Sequence, residues 1–379
     1  MDEVVVWGTG KHAIDFVTTN ADINIIAFID NNKGEEQISW NGIPVLFPSE
    51  AQELLNNRFI IVATSENVYW EIRRWLISIG RKEFDHFLYH SCYKKRIAMI
   101  YGNCHTQPVK EGLVANALFR KIYGFYPLRQ IQEIKKNNDE GLESEVFQHC
   151  DLMIHQSVRK DNRYGENYSS EYVLRNIREE CVVIAMPNLY GLPKCFFPHH
   201  EFVNGGSGKY IKGISYFPYR DLFIDEEFKQ GKRITEIAKE IQFGKHLKED
   251  EIKAGFESFI NKVEKREMEW DIKVRDWLID NYQNVQLFYD ANHPTGAVVR
   301  VIVSEVLRIL GIEEEYVIDY YPSEMDANEI PIYGEIAEGL GLKYSNNLMR
   351  IHSRKSMYDA PLTIYDYVEQ YVLWNVCSG

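Results

Sequence analysis

What this 379-residue chain lacks narrows the field first. It has no run of about 18 apolar residues, the length a membrane span needs. Its opening, Met1-Asp2-Glu3 followed by Val4-Val5-Val6-Trp7, carries neither the basic nor the long apolar region of a secretory leader. There is no excess of positive charge: 56 acidic against 43 basic residues leave a net charge of −13, the wrong sign for a nucleic-acid partner. The six cysteines (Cys92, Cys104, Cys150, Cys181, Cys195, Cys377) include no CxxC pair and no dense framework, which reads as reduced thiols in a cytoplasmic protein. Repeats and low-complexity tracts are also missing. What remains, 45% hydrophobic and 13% aromatic residues, is ample for packed cores, and the length suits two domains.

The most informative stretch present is Arg96-Ile97-Ala98-Met99-Ile100-Tyr101-Gly102-Asn103-Cys104-His105. It predicts a buried strand that stops abruptly and hands over to a helix spanning 107–120, with Thr106 as N-cap and Pro108 tolerated in the first turn. A thiol in such a turn lies near the positive end of a helix dipole, which favours thiolate. Three further segments share the same plan. Asp151-Leu152-Met153-Ile154 ends in His155-Gln156, Cys181 to Met186 runs into Pro187-Asn188, and Val285 to Tyr289 runs into Asp290-Ala291-Asn292-His293 ahead of a helix over 296–310. An open α/β sheet gathers the carboxyl ends of its strands at one edge, where ligands bind. Helices fill 224–278, and the aromatic tail beyond Pro331 suits packing on a domain or on a second copy in a homo-oligomer.

The first ninety residues form a separate α/β pattern. Val4-Val5-Val6-Trp7 is a strand, Gly8-Thr9-Gly10-Lys11-His12-Ala13 a turn into a helix, and Ile25 to Ile29 a second strand ending at Asp30. That is a dinucleotide-type βαβ layout, with Asp30 where an acid meets a ribose hydroxyl and Ala13 in place of the third glycine. Gly8, Gly10, His12 and Asp30 are its candidate ligand residues. The expected organisation is a Rossmann-like domain over 1–90, a second α/β domain with a parallel sheet over 96–325, and a helical extension over 326–379.

The residues at the second domain's strand ends suit acyl transfer. Cys104 can serve as nucleophile, His293 as base, and Asp290 as the group fixing the imidazole tautomer. Asn103, Asn188, His155 and Gln156 are candidates for the oxyanion or substrate contacts, and His105 for a second proton-transfer group. Arg159, Lys160 and Lys209, the last in the glycine-rich 204–209 loop, suit phosphates. The run Tyr216-Phe217-Pro218-Tyr219-Arg220 suits either stacking on a ring or core packing. No metal is expected: three adjacent residues, His199-His200-Glu201, cannot all face one ion from a regular element, and no further ligand is evident.

Two resemblances rest on these residues. Gly8 to Ala13, Phe28-Ile29-Asp30-Asn31-Asn32, Gly42-Ile43-Pro44-Val45 and Ile61-Val62-Ala63-Thr64 resemble the N-terminal domain of bacterial acetyltransferases that modify nucleotide-linked amino sugars. Gly-Asn-Cys at 102–104 and Asp-x-x-His at 290–293 parallel the Gly-Asp-Ser and Asp-x-x-His blocks of the SGNH hydrolase superfamily, with cysteine for serine. Together with Asp151 to Gln156, Asp221-Leu222-Phe223-Ile224 and Asn292-His293-Pro294-Thr295, they resemble the WcbI family of capsule polysaccharide biosynthesis proteins over about 96–311. The resemblance implies an SGNH-like sheet, coenzyme A or acetyl-CoA as acyl donor, and a sugar or nucleotide sugar as acceptor. His105 departs from it, since the family more often has glutamine there. Two rivals stand beside it: an esterase or deacetylase that uses the same Cys104/His293 pair with water as acceptor, and a non-catalytic nucleotide-sugar or coenzyme A binding protein that scaffolds polysaccharide assembly.

Overall fold

The computed structural model describes residues 3–34, 39–138, 140–202, 217, 219–313, 329–344, 348–349 and 362–378. Lys209 and the rest of the glycine-rich loop lie outside the described residues, as do Tyr216 and Pro218. The fold is α/β and divides into two compact units, one of residues 1–103 with 117–183, the other of 104–116 with 184–379.

In the first unit, strands β1 (Glu3–Trp7), β2 (Asn24–Ile29), β3 (Ser39–Trp40), β4 (Ile43–Leu46), β5 (Phe59–Val62) and β6 (Phe87–Tyr89) form a sheet in the order β3-β4-β2-β1-β5-β6. Every pairing is parallel except β3 with β4. Val4, Val5 and Val6 are all buried, the continuous apolar run that a strand covered on both faces requires. The chain leaves β1 through Gly8 at φ +122°, where a Cβ would sit 2.4 Å from the carbonyl oxygen of Ala63, so only glycine fits. A second sheet holds β7 (Arg96–Tyr101), β8 (Tyr123–Phe125), β9 (Leu152–Gln156) and β10 (Val182–Met186) in the order β10-β9-β7-β8. Here β7 is parallel to both neighbours, and the chain passes into the second unit within β10. One hydrophobic cluster joins Trp7, Val62, Trp70 and Phe87 to Met99, Tyr126, Phe147 and Met153. The connector over 90–96 is therefore a change of sheet within continuous packing, and the compact units have different limits from those drawn at 90, 96 and 325.

The second unit is largely helical. The helix Thr106–Ala115 crosses the helix Gly296–Ile309 so closely that a Cβ on Gly112 would lie 2.7 Å from Cγ2 of Val303. His105, not Thr106, occupies the N-cap position. The strand expected over 285–289 does not form. Those residues instead enter a tight loop closed by a bridge between Phe288 and Pro294, with Tyr289 N–H donating to His293 O and Thr295 N–H to Leu287 O, both at 2.9 Å. Leu287 and Phe288 are buried as the apolar pattern demands, but the next backbone donors go to the Asp290 carboxylate rather than to a neighbouring strand. The C-terminal helix Ile364–Ser378 is fastened within this unit: Tyr371 Oη accepts from Asp221 N–H at 2.9 Å and donates to Asp225 at 3.0 Å, while Asn375 donates to Asp225 at 2.6 Å. Phe217 packs among Tyr367, Tyr371 and Trp374, so this member of the aromatic run is core.

Candidate active site

The helix start and the tight loop bring Cys104, His105, Asp290 and His293 together in the second unit. Cys104 Sγ lies 3.6 Å from His293 Nε2, and His293 Nδ1 lies 2.7 Å from Asp290 Oδ2. This is the nucleophile–base–acid order, with each nitrogen of one imidazole facing one partner. Asp290 is fully buried, whereas the His293 side chain keeps 27% of its surface, so the base can meet an incoming group while its anchor stays dry.

Asp290 is held by four donors. Oδ1 accepts from the N–H of Asn292 at 2.7 Å, the N–H of His293 at 2.8 Å and the Tyr219 hydroxyl at 2.9 Å, leaving Oδ2 for the imidazole. Burial pushes this carboxyl up, but the facing His293 and these hydrogen bonds outweigh it and hold the pKa below the ordinary aspartate value. Burial likewise opposes a charge on His293, yet the Asp290 carboxylate, with Cys104 on the other side, raises its pKa well above the ordinary histidine value.

His105 behaves differently. Its Nε2 lies 2.7 Å from the carbonyl oxygen of Asn292, which can only accept, so that nitrogen carries the hydrogen. Burial first, and then the neighbouring His293, depress its pKa to about 3, and the ring is neutral. His105 thus ties the start of the Thr106–Ala115 helix to the loop that carries His293, its ring 6.1 Å from that of His293.

Sequence reasoning missed three residues. Asn292 is a hub: besides accepting from His105 at its carbonyl, it donates from its side chain to Tyr219 Oη at 2.9 Å and accepts there from Gly191 N–H at 3.1 Å. The Asn-His-Pro-Thr turn containing it was legible, but its bonds across the fold were not. Tyr219 lies 71 positions from Asp290 and no local pattern links them. Arg266, on the helix Glu249–Glu267, donates to the carbonyl oxygens of Asn188 at 2.7 Å and Tyr190 at 3.5 Å. Asn188 is thereby part of a braced loop, its own Oδ1 accepting from Tyr190 N–H at 3.2 Å.

The other candidates belong to the first unit. Asn103, bonded to Cys104 through one peptide link, donates its N–H to Gln156 Oε1 at 2.9 Å, and His155 is buried at the end of β9. Arg159 is paired with Asp161 at 3.0 Å and Lys160 with Glu171 at 2.7 Å, both on the surface, so these cations already have carboxylate partners. In the glycine turn, Gly10 is the N-cap of the helix Lys11–Thr19, and His12 is exposed with its ring 5.4 Å from His90. Asp30 is engaged locally, accepting from the Thr9 hydroxyl and from Asn32 N–H. In the second unit, His199 and His200 face Glu335 and Asp221 separately, at 3.4 and 3.2 Å. Among the described residues no group of three or more His, Cys, Asp or Glu could hold a metal ion.

Comparison with known proteins bears on residues 97–315, which match the model of the family described as polysaccharide biosynthesis enzyme WcbI. No curated protein gives a match. A solved structure of WcbI, described as a novel polysaccharide biosynthesis enzyme and as native protein without a disulfide bond between coenzyme A and one of its cysteines, is similar in fold. The TM-score is 0.56 at 17% identity, covering 75% of this chain and 91% of that chain.

Proposed function

Because this chain belongs to the WcbI family of polysaccharide biosynthesis enzymes, we propose that it transfers an acyl group, acetyl in the first instance, from coenzyme A to a sugar of a capsule or other surface polysaccharide. The observation that carries the reading is the alignment of Cys104 Sγ, the His293 imidazole and the buried Asp290 carboxylate. The solved WcbI structure, described as a form without a disulfide bond between coenzyme A and a cysteine of that protein, supports coenzyme A as the thiol ligand of this family. A coenzyme A donor puts the reaction in the cytoplasm; among the described residues no helix is long and apolar enough to cross a membrane.

Coenzyme A, when bound, supplies the activated thioester carbonyl. Cys104 attacks that carbonyl as thiolate, a carbon–sulfur bond forms to Cys104, and the bond to the donor sulfur breaks. His293, protonated beside Asp290, gives its proton to the departing thiol. The now neutral imidazole takes the proton of an attacking sugar hydroxyl, the acyl group passes to that oxygen, and Cys104 leaves as thiolate with His293 again protonated. Asp290 fixes the tautomer throughout, and His105 and Asn292 hold the loop in register with the helix start. Backbone N–H groups at the helix start are the donors this reading assigns to the developing oxyanion.

Intact-protein mass after mixing with acetyl-CoA alone tests this reading. An acetyl adduct that is absent from Cys104→Ser and discharged by a sugar acceptor is the expected result. Discharge by water at the same rate, whatever sugar is present, would instead identify a hydrolase. A wild-type protein that binds acetyl-CoA without adduct or turnover would leave only a binding role.

A further inference from the structure

Arg266, in the second unit, is a cationic group that the acyl-transfer steps leave unused. Its guanidinium is half-buried, and the desolvation that goes with this lowers its pKa. It forms no ion pair among the described residues; its hydrogen bonds run only to the carbonyl oxygens of Asn188 and Tyr190 through a single nitrogen, Nη1. A guanidinium has five donors in a planar fork. Nε and Nη2 are neither hydrogen-bonded within the described protein nor sealed from solvent. The charge feels Glu269 but has no hydrogen-bonded counter-ion among the described residues, whereas Arg159 and Lys160 already have carboxylates.

Its position gives that charge a use. The loop it braces, 188–191, donates Gly191 N–H to Asn292 Oδ1, and Asn292 is the residue before His293. The Tyr190 ring of the same loop lies 6.4 Å from the His105 ring. A cation fixed to this loop is fixed, through two hydrogen-bonded steps, to the machinery around Cys104.

We propose that Arg266 anchors a phosphate group of a substrate beside the Cys104–His293 site. Two open donors of one guanidinium fork match two oxygens of a phosphate, a geometry lysine cannot reproduce. The inference rests on the acyl-transfer reading, because the acyl donor of that reading carries phosphates, as does the acceptor where the sugar is nucleotide-linked. Either source supplies the same chemistry.

The test is calorimetric titration of the full chain, as wild type, Arg266→Lys and Arg266→Ala, with coenzyme A, with pantetheine (the same thiol arm without the phosphates) and with UDP-N-acetylglucosamine. A thermal melt of each variant checks that the fold is retained. Loss of a charged hydrogen-bonding partner should weaken the phosphate ligand about 10- to 100-fold in Arg266→Ala, with a partial loss in Arg266→Lys and unchanged pantetheine binding. A loss confined to coenzyme A identifies the donor's phosphates, and a loss confined to the sugar nucleotide identifies the acceptor's. Equal weakening of pantetheine and coenzyme A would overturn the proposal and leave Arg266 a brace of the 188–191 loop. Unchanged binding of every ligand would overturn it too. In both cases undiminished acetylation of wild-type Cys104 would show that the acyl-transfer reading survives. A wild type that binds neither phosphate ligand overturns both.

Discussion

Replacing Asp290 by asparagine changes one atom in a fully buried cluster, and the geometry dictates the consequence. Oδ1, with its three donors from Asn292 N–H, His293 N–H and Tyr219 Oη, survives as the amide oxygen. Oδ2 becomes an NH₂ facing His293 Nδ1 at 2.7 Å. Two donors cannot face each other there, so the imidazole turns to the tautomer with its hydrogen on Nε2, pointing at Cys104 and unable to accept a proton from a sugar hydroxyl. The corresponding change in Ser-His-Asp enzymes costs about 10,000-fold. Here at least about 1,000-fold is expected, or ~4 kcal/mol at 1.36 kcal/mol per tenfold. The electrostatics move in parallel. With the Asp290 charge gone, only Cys104 still opposes the burial that disfavours the imidazolium, so the His293 pKa falls, and iodoacetamide alkylation of Cys104 slows. The stability difference between wild type and variant has a fixed sign. The raised pKa of His293 makes its share full below about pH 6.5 and lost as pH rises through the folded value. The lowered pKa of Asp290 makes its share present above about pH 4 and lost as pH falls through the folded value. Urea denaturation across pH should therefore show the widest gap between those limits. Turnover within threefold of wild type, or a stability gap independent of pH, would refute the ion-pair reasoning.

Four further outcomes are expected. Cys104→Ser should lose the acetyl adduct and nearly all turnover, since His293 is then matched to a far weaker acid, as read by mass spectrometry and steady-state rates. Tyr219→Phe removes one of three donors to Asp290 Oδ1 and strands Asn292 Nδ2; activity should fall about 10-fold with the KM for acyl donor unchanged, and an equal rise in KM would argue for a substrate contact instead. Gly112→Val should cost about 1–3 kcal/mol by overpacking against Val303, and unaltered melting would contradict the close crossing of the two helices. His105, with its pKa near 3, should show no NMR titration between pH 5 and 8, whereas a midpoint near 6.5 would mean that the ring is not buried in solution.

Much of the fold was legible because burial leaves a periodic trace. The runs Val4-Val5-Val6, Ile60-Ile61-Val62, Ala98-Met99-Ile100 and Met153-Ile154 are apolar without alternation, and each is a parallel strand covered on both faces. The same signal misled at 285–289. Val285 to Tyr289 is apolar enough for a strand, but the next residue offers a carboxylate that takes two backbone N–H groups, and a loop satisfies the backbone as well as a ladder would. Periodicity reports that Leu287 and Phe288 are buried and says nothing about what receives the hydrogen bonds.

The site divides along a similar line. Cys104 and the Asp-x-x-His pair could be read because each is local chemistry: a thiol before a helix, and an acid three residues from its histidine. Asn292 and Tyr219 could not, because their work consists of bonds across the chain. Yet these bonds decide the roles of the residues that were read. His105 sits beside Cys104 and looks like a second base, but its Nε2–H is spent on Asn292 O and its ring is held neutral by burial, so it serves as a strut. Asp290 would be a costly buried charge by its environment alone, and the facing His293, with the Asn292 backbone and Tyr219 adding to it, lets it remain a carboxylate. One donor short, that carboxylate would lie nearer to taking up a proton, and His293 nearer to giving one up. The proton on His293 thus depends on a tyrosine 74 positions upstream, which is why the loss of a single hydroxyl donor in Tyr219→Phe should be visible in the rate while leaving substrate affinity alone.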